Sequence, residues 1–183
     1  MSDIDEITRE VLDFWFVETP AAKRFATDPA FDADLHMRFY WIYEDIQTGG
    51  HERYMGSANS ILAAIIVLDQ FSRNMFRNQP QAFAEDHRAI ALAIYAADNG
   101  LDQEIAEGRR AFLYMPFMHS ENPADHDRAV MLFTGLGNGT FLEFELKHKA
   151  IIDQFGRYPH RNAVLGRKST AAELAHVAEH GGF

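Results

Sequence analysis

The chain contains no cysteine, which excludes disulfide bonds, thiolate nucleophiles and cysteine-ligated metals. It also lacks long apolar segments: residues 61–68 form the longest run, at 8 residues, whereas a membrane-spanning helix needs ~20. Basic residues are in the minority, and the formal net charge is −10. We therefore expect neither nucleic acid nor a membrane as a partner, because both attract positively charged surfaces.

The first residues, 1–6, are acidic and lack the basic-then-apolar pattern of a signal peptide. The absence of cysteine fits a reducing compartment. Together these observations predict a cytoplasmic protein.

Apolar residues are abundant, at 47% of the chain, and 15 of them are phenylalanines. This composition is typical of a folded domain with a substantial core. A chain of 183 residues buries roughly 70% of its unfolded surface when it folds. No polar linker divides the sequence, so we expect residues 1–183 to form a single domain.

Helical periodicity dominates the chain, and alternating strand patterns are scarce. In one segment Phe141, Phe144, His148, Ile151 and Phe155 follow the spacing of one helical face. The sequence therefore predicts an all-α fold, with these five side chains on one face of an amphipathic helix.

Capping residues, prolines and glycines mark where the helices begin and end. Asp28 and Asn122 each precede a proline, and Thr170 with Glu173 has the spacing of a capping box. Since the connections are short, successive helices should pack as antiparallel neighbours. We expect about eight helices, near residues 3–16, 29–47, 57–74, 80–98, 108–118, 123–136, 138–156 and 170–180.

Two stretches nearly repeat each other. LDQFSRN at 68–74 recurs 84 positions later as IDQFGR at 152–157, followed by Arg161-Asn162. In each copy an aspartate precedes an arginine by four residues, so we expect an intrahelical ion pair in each, between Asp69 and Arg73 and between Asp153 and Arg157.

Each copy ends a helix-like run, which leaves two interpretations open. The polar side chains either stabilise the helix ends or, if the two ends meet in space, form an anion-binding pocket in which arginine suits carboxylate or phosphate. In the second case His160 or Asp153 is the candidate general acid or base. The candidate ligand-binding residues are Asp69, Gln70, Arg73, Asn74, His119, Arg157, Arg161 and Asn162.

A metal-binding pattern also occurs near the end of the chain. Residues 176–180 match the H-x-x-E-H pattern of zinc proteases. No third ligand is recognisable, and a zinc site needs one. We therefore expect no metal and no cofactor.

Several motifs together resemble a known family. The final motif, HKAIIDQFGRYPHRNAVLGRKST at 148–170, is quite specific, and the other segments are VLDFWF at 11–16, LDQFSRNMFR at 68–77, PQAFAED at 80–86 and FLYMPFMHSE at 112–121. They are similar to the bacterial family known as domain of unknown function 924 (DUF924). Ser72 departs from the family, which commonly has proline there.

The resemblance implies an all-helical fold similar to a right-handed tetratricopeptide (TPR) array, and it brings no established activity. On this basis we expect a module that binds a peptide or protein partner in a TPR-like groove. The alternative is a small-molecule binding protein or enzyme that acts on an anionic substrate at the Arg/His/Asp cluster. No pattern specifies an oligomeric state.

Overall fold

The computed structural model describes residues 3–181, and this part of the chain contains helices and no strand. The prediction of an all-α fold with eight helices is confirmed. The TPR-like arrangement stays a prediction. The helices are α1 (Asp3–Asp13, continued by a π-helical turn Phe14–Glu18), α2 (Pro29–Gly49), α3 (Ala58–Ile65, continued by π-helical Ile66–Phe71 and α-helical Ser72–Met75), α4 (Asp86–Asp98), α5 (Glu107–His119), α6 (Pro123–Leu136), α7 (Gly139–Phe155) and α8 (Ala171–His180).

The chain separates into two compact units. Within residues 3–181, the first comprises 3–77 together with 81–116, and the second comprises 78–80 together with 117–181. The boundary falls directly after Pro116, inside α5. Each unit is described by itself below, and the single domain expected from the sequence stays a prediction.

Aromatic side chains form the centre of the first unit. The ring of Phe71, on the π-helical part of α3, lies 5.4 Å from that of Trp15 and 4.8 Å from that of Phe39. Phe14 lies 4.8 Å from Phe39 and 5.8 Å from Phe71. Such aromatic pairs contribute about 0.5–1.5 kcal/mol each beyond the burial of their area. The π-helical segments therefore lie at the centre of this core.

In the second unit α6 packs along α7. The face of α7 that is buried contains Glu145, His148 and Ile152. Phe144, which the sequence places on the same face as His148, remains 48% exposed. The residue beside it, Glu145, is fully buried because His126 on α6 supplies a polar partner.

Helix starts agree with the capping signals in the sequence. The carboxylate of Asp28 accepts hydrogen bonds from two backbone N–H groups, and Asn122 accepts one from Ala124. Thr170 and Glu173 form the expected capping box at the start of α8. The predicted helix over 80–98 was wrong at its beginning, because Pro80–Phe83 is a 3-10 turn and the α-helix starts at Asp86.

The proline in α5 does not stop the helix. Pro116 removes one backbone donor and frees the carbonyl of Phe112, yet α5 continues for three residues to His119. Within residues 3–181 no helix is long and apolar enough to cross a membrane.

Candidate functional site

A cluster of histidines surrounds a buried tyrosine in the second unit. The ring centre of Tyr158 lies 5.8 Å from that of His148 and 5.6 Å from that of His160. The guanidinium carbon of Arg161 lies 4.5 Å from the same ring centre. We call the following residues the Tyr158 cluster: His119, His126, Glu145, His148, Tyr158, His160 and Arg161.

Local structure directs Tyr158 into this cluster. Helix α7 ends at Gly156, which has a left-handed φ of 68° and donates its N–H to Ile152. Such a conformation favours glycine because other residues carry a Cβ atom. Pro159 then restricts Tyr158 to an extended backbone and begins a short 3-10 turn. The Tyr158 hydroxyl donates to the carbonyl of Met118, at a distance of 2.5 Å.

His126 and Glu145 form a fully buried pair. Nδ1 of His126 lies 2.8 Å from Oε1 of Glu145, and its Nε2 lies 2.8 Å from the carbonyl oxygen of Ser120. A carbonyl only accepts, so Nε2 carries a proton. Burial raises the pKa of Glu145 above its ordinary value, and His126 offsets part of this effect. The hydrogen bond joins the two buried side chains whichever of them carries the proton between Oε1 and Nδ1.

His148 is held neutral in the same cluster. Its Nδ1 lies 2.8 Å from the carbonyl oxygen of Phe144, so Nδ1 carries the proton and Nε2 is the basic nitrogen. Burial, together with the nearby His119, lowers the pKa of His148 from its ordinary value of 6.5 to about 3. The rings of His119 and His148 lie 6.2 Å apart. At neutral pH His148 is therefore an uncharged imidazole.

The cluster reaches the surface at two of its histidines. His119 and His160 are partly exposed, whereas His126 and Tyr158 are fully buried. Arg161 is 6% exposed, so the cluster contains a permanently positive group that is largely removed from water.

A second network holds the loop that follows α7. Arg167 donates two hydrogen bonds to Glu121, at 2.6 and 2.9 Å, and the N–H of Tyr158 donates to the same carboxylate. Asn162 accepts from Arg167 and donates to Ser169. Burial acts to raise the pKa of Glu121, but the hydrogen bonds from Arg167 and Tyr158 outweigh burial. The pKa of Glu121 is therefore lower than its ordinary value. Asn162 therefore stabilises the loop that positions Tyr158.

The second copy of the near-repeat does not contain the expected ion pair. Asp153 is exposed and binds Lys149, whereas Arg157 binds Glu173 on α8 at 2.6 Å. The prediction of an Asp153–Arg157 pair was wrong because Gly156 ends α7 between the two residues. The four-residue spacing therefore does not place them one helical turn apart.

The first copy forms the expected pair as part of a larger network. Arg73 lies 3.4 Å from Asp69 and donates two hydrogen bonds to Asp86, at 2.7 and 3.0 Å. It also donates to the carbonyl of Ala82. Arg73 therefore connects α3 to the 3-10 turn and to the first residue of α4.

The neighbours of this pair are also engaged in the first unit. Gln70 donates to Asp69 at 2.6 Å. Asn74 accepts from Arg77, which also donates two hydrogen bonds to Asp32. These contacts stabilise the packing of α3 against its neighbours.

One interpretation of the near-repeat brings Arg73, Arg157 and Arg161 together, and the structure tests this interpretation only within each unit. Arg161 and His160 lie in the Tyr158 cluster, whereas Arg157 is turned towards Glu173. Arg73 belongs to the first unit, and its approach to the other two stays a prediction. Of the candidate residues, His119, His160 and Arg161 are therefore the ones that belong to the cluster.

The candidate residues derived from the sequence did not include His126, nor Glu145 with His148 three residues later. The available signal was the Glu-x-x-His spacing, which places both side chains on one face of a helix. His126 gave no such signal because it lies on another helix. Among residues 3–181, no group of three or more acidic or histidine side chains has an arrangement that could hold a metal ion.

These features define an all-helical protein with a buried cluster of histidines. The chain belongs to the family of bacterial proteins of unknown function DUF924, whose model matches residues 11–181. It is also similar to the solved structure of a protein of unknown function from Agrobacterium tumefaciens: the identity is 36%, the TM-score is 0.91, and the match covers 97% of this chain and 99% of the other. None of the curated proteins matches the chain.

Proposed function

We propose that the Tyr158 cluster binds a small anionic molecule and exchanges protons with it. The observation that carries this proposal is the packing of Arg161 and His148 on one tyrosine ring. It brings a permanent positive charge and a neutral imidazole base to the same place. A convergent set of a cation and titratable groups is typical of sites that bind and transform anions.

Arg161 is the group that attracts the anion. Its guanidinium cannot lose its charge, and its planar fork matches carboxylate or phosphate. Because the side chain is 6% exposed, little water screens its charge. An anion that reaches Arg161 therefore gains more than it would at an exposed arginine.

His148 is the candidate base, and ligand binding itself would activate it. Without an added negative charge its pKa is about 3, so it is a weak base. A bound anion stabilises the imidazolium form and raises this pKa. His119 and His160, which are partly exposed, connect the base with bulk water.

The test is a comparison of two arginine variants. In a thermal-shift and calorimetry screen of small carboxylates and phosphates, wild type and Arg157→Ala should show binding, and Arg161→Ala should not. Arg157 is a matched control because it lies in the same loop but binds Glu173. A ligand at 100 times its Kd stabilises a protein by about 2.7 kcal/mol. An equal shift in Arg161→Ala, with its helical circular dichroism intact, would overturn the proposal.

A second candidate function is peptide binding, as in the grooves of TPR arrays. Its specific support is on α2 in the first unit, where Met37 is 77% and Trp41 is 48% exposed. Residues four apart share one face of a helix. A peptide on this face would change the fluorescence of Trp41, since the other tryptophan, Trp15, is fully buried. Acidic peptides in the same screen, with Trp41→Ala as the variant, separate this function from the first.

A further inference from the structure

One oxygen of the buried Glu145 carboxyl group has no partner in the second unit. Oε1 lies 2.8 Å from His126, while Oε2 has no hydrogen-bond donor within reach among residues 3–181. The side chain is fully buried. An acceptor that is buried without a hydrogen bond is unfavourable, because it has lost the hydrogen bonds that water would supply. Such an atom in a cluster of titratable groups points to a ligand that donates to it.

The oxygen remains an acceptor in either protonation state of the pair. If Glu145 is ionised, both of its oxygens accept. If it is protonated and donates to His126 through Oε1, Oε2 is the carbonyl oxygen of the acid and still accepts. The inference therefore does not depend on where the shared proton resides.

Glu145 and Arg161, the cation of the cluster, both lie near His148. Glu145 and His148 lie one helical turn apart on the buried face of α7. His148 contacts Tyr158, and Arg161 lies against the same ring. His148 and the Tyr158 ring therefore link the helix face that carries Glu145 to Arg161.

We infer that the ligand of the Tyr158 cluster is a small carboxylic acid that also carries a hydroxyl or ammonium donor. The carboxylate binds Arg161, whose fork matches its planar geometry. The donor group binds Oε2 of Glu145. This inference rests on the proposed function and narrows its substrate class, because an anion without a donor leaves the acceptor of Glu145 unmatched.

The experiment uses acids that differ in one donor group. Calorimetry on the wild-type chain compares propionate with lactate, succinate with malate, and glutarate with 2-hydroxyglutarate, with alanine, aspartate and glutamate as the amino counterparts. We expect at least one substituted acid to bind about tenfold or more tightly than its unsubstituted partner. Glu145→Leu should remove this preference while Arg161-dependent binding of the unsubstituted acid remains.

A neighbouring glutamate supplies the matched control. Glu143, on the exposed side of α7, binds Lys147, so Glu143→Leu should keep the full preference. If Glu145→Leu does not fold, the comparison of acids on the wild-type chain still decides the inference. Equal affinities within every pair, with binding lost in Arg161→Ala, would overturn the donor inference and leave the proposed function standing. If none of the acids binds, the inference is overturned. If phosphates bind and no acid does, the inference is still overturned, but the proposed anion site remains.

Discussion

Nδ1 of His126 lies 2.8 Å from Oε1 of Glu145, and neither side chain is exposed to solvent. A hydrogen bond between the two groups joins two helices, α6 and α7. Removal of one partner of such a pair is strongly destabilising because the other is left buried without compensation. The pair therefore connects the packing of the second unit to the protonation of its candidate site.

Glu145→Gln should become more stable relative to wild type as the pH rises. Burial raises the pKa of Glu145 above its ordinary value of 4.5, so between these two values the folded state binds more protons than the unfolded state. Wild-type stability is then lost as the pH rises through the folded pKa, whereas glutamine does not titrate. Urea unfolding at several values between pH 4 and pH 7 measures the difference. A difference independent of pH would contradict the raised pKa.

In His148→Phe the free energy of unfolding should fall less steeply on acidification than it does in wild type. Burial lowers the pKa of His148 from 6.5 to about 3, so between these values the unfolded state binds a proton that the folded state excludes. The wild-type free energy of unfolding therefore falls as the pH drops from 6.5 towards 3, by on the order of 5 kcal/mol from this residue. Urea titrations measure both slopes. His87→Phe, at an exposed position of α4, is the matched control and should keep the wild-type slope.

Arg157→Ala should destabilise α8, whereas Asp153→Ala should change little. Arg157 binds Glu173, which is 2% exposed, and also the carbonyl of Lys168. Its loss leaves a buried carboxylate without its cation. Asp153 forms an exposed pair with Lys149, and exposed pairs contribute about 0–1 kcal/mol.

Thermal unfolding and amide hydrogen exchange measure this contrast. We expect a lower Tm for Arg157→Ala and faster exchange across α8, with both properties unchanged in Asp153→Ala. Equal effects of the two substitutions would contradict this prediction. They would show that Asp153 and Arg157 contribute equally to stability, although only Arg157 contacts a buried carboxylate.

Arg167→Ala should destabilise the chain at neutral pH by about 1.5–3 kcal/mol, the usual contribution of hydrogen bonds to a charged group. The guanidinium binds both oxygens of Glu121, which also accepts from Tyr158. The pKa of Glu121 is lowered from its ordinary value of 4.5, so this stability is present above that value and is lost as the pH falls through the folded pKa. Denaturant unfolding at pH 7 and pH 3 measures the effect, which should shrink in acid. Arg167→Lys should recover part of it.

The positions of the helices could be predicted from local patterns. A capping side chain such as Asp28 binds backbone groups within three residues, so its effect is visible in a short window of sequence. The error at residues 80–85 has a long-range cause. Arg73 binds both the Ala82 carbonyl and Asp86, and no pattern within 80–98 reports this contact.

The sequence by itself determined the all-helical class, most of the helix ends and the family, because periodicity, caps and motifs are local properties of the chain. Only the tertiary structure decided which polar side chains meet. His126 and Glu145 are 19 residues apart and on different helices, and Arg157 binds Glu173 rather than Asp153. Such pairings depend on how helix faces pack, since a buried charge is tolerated only where a partner from another element reaches it.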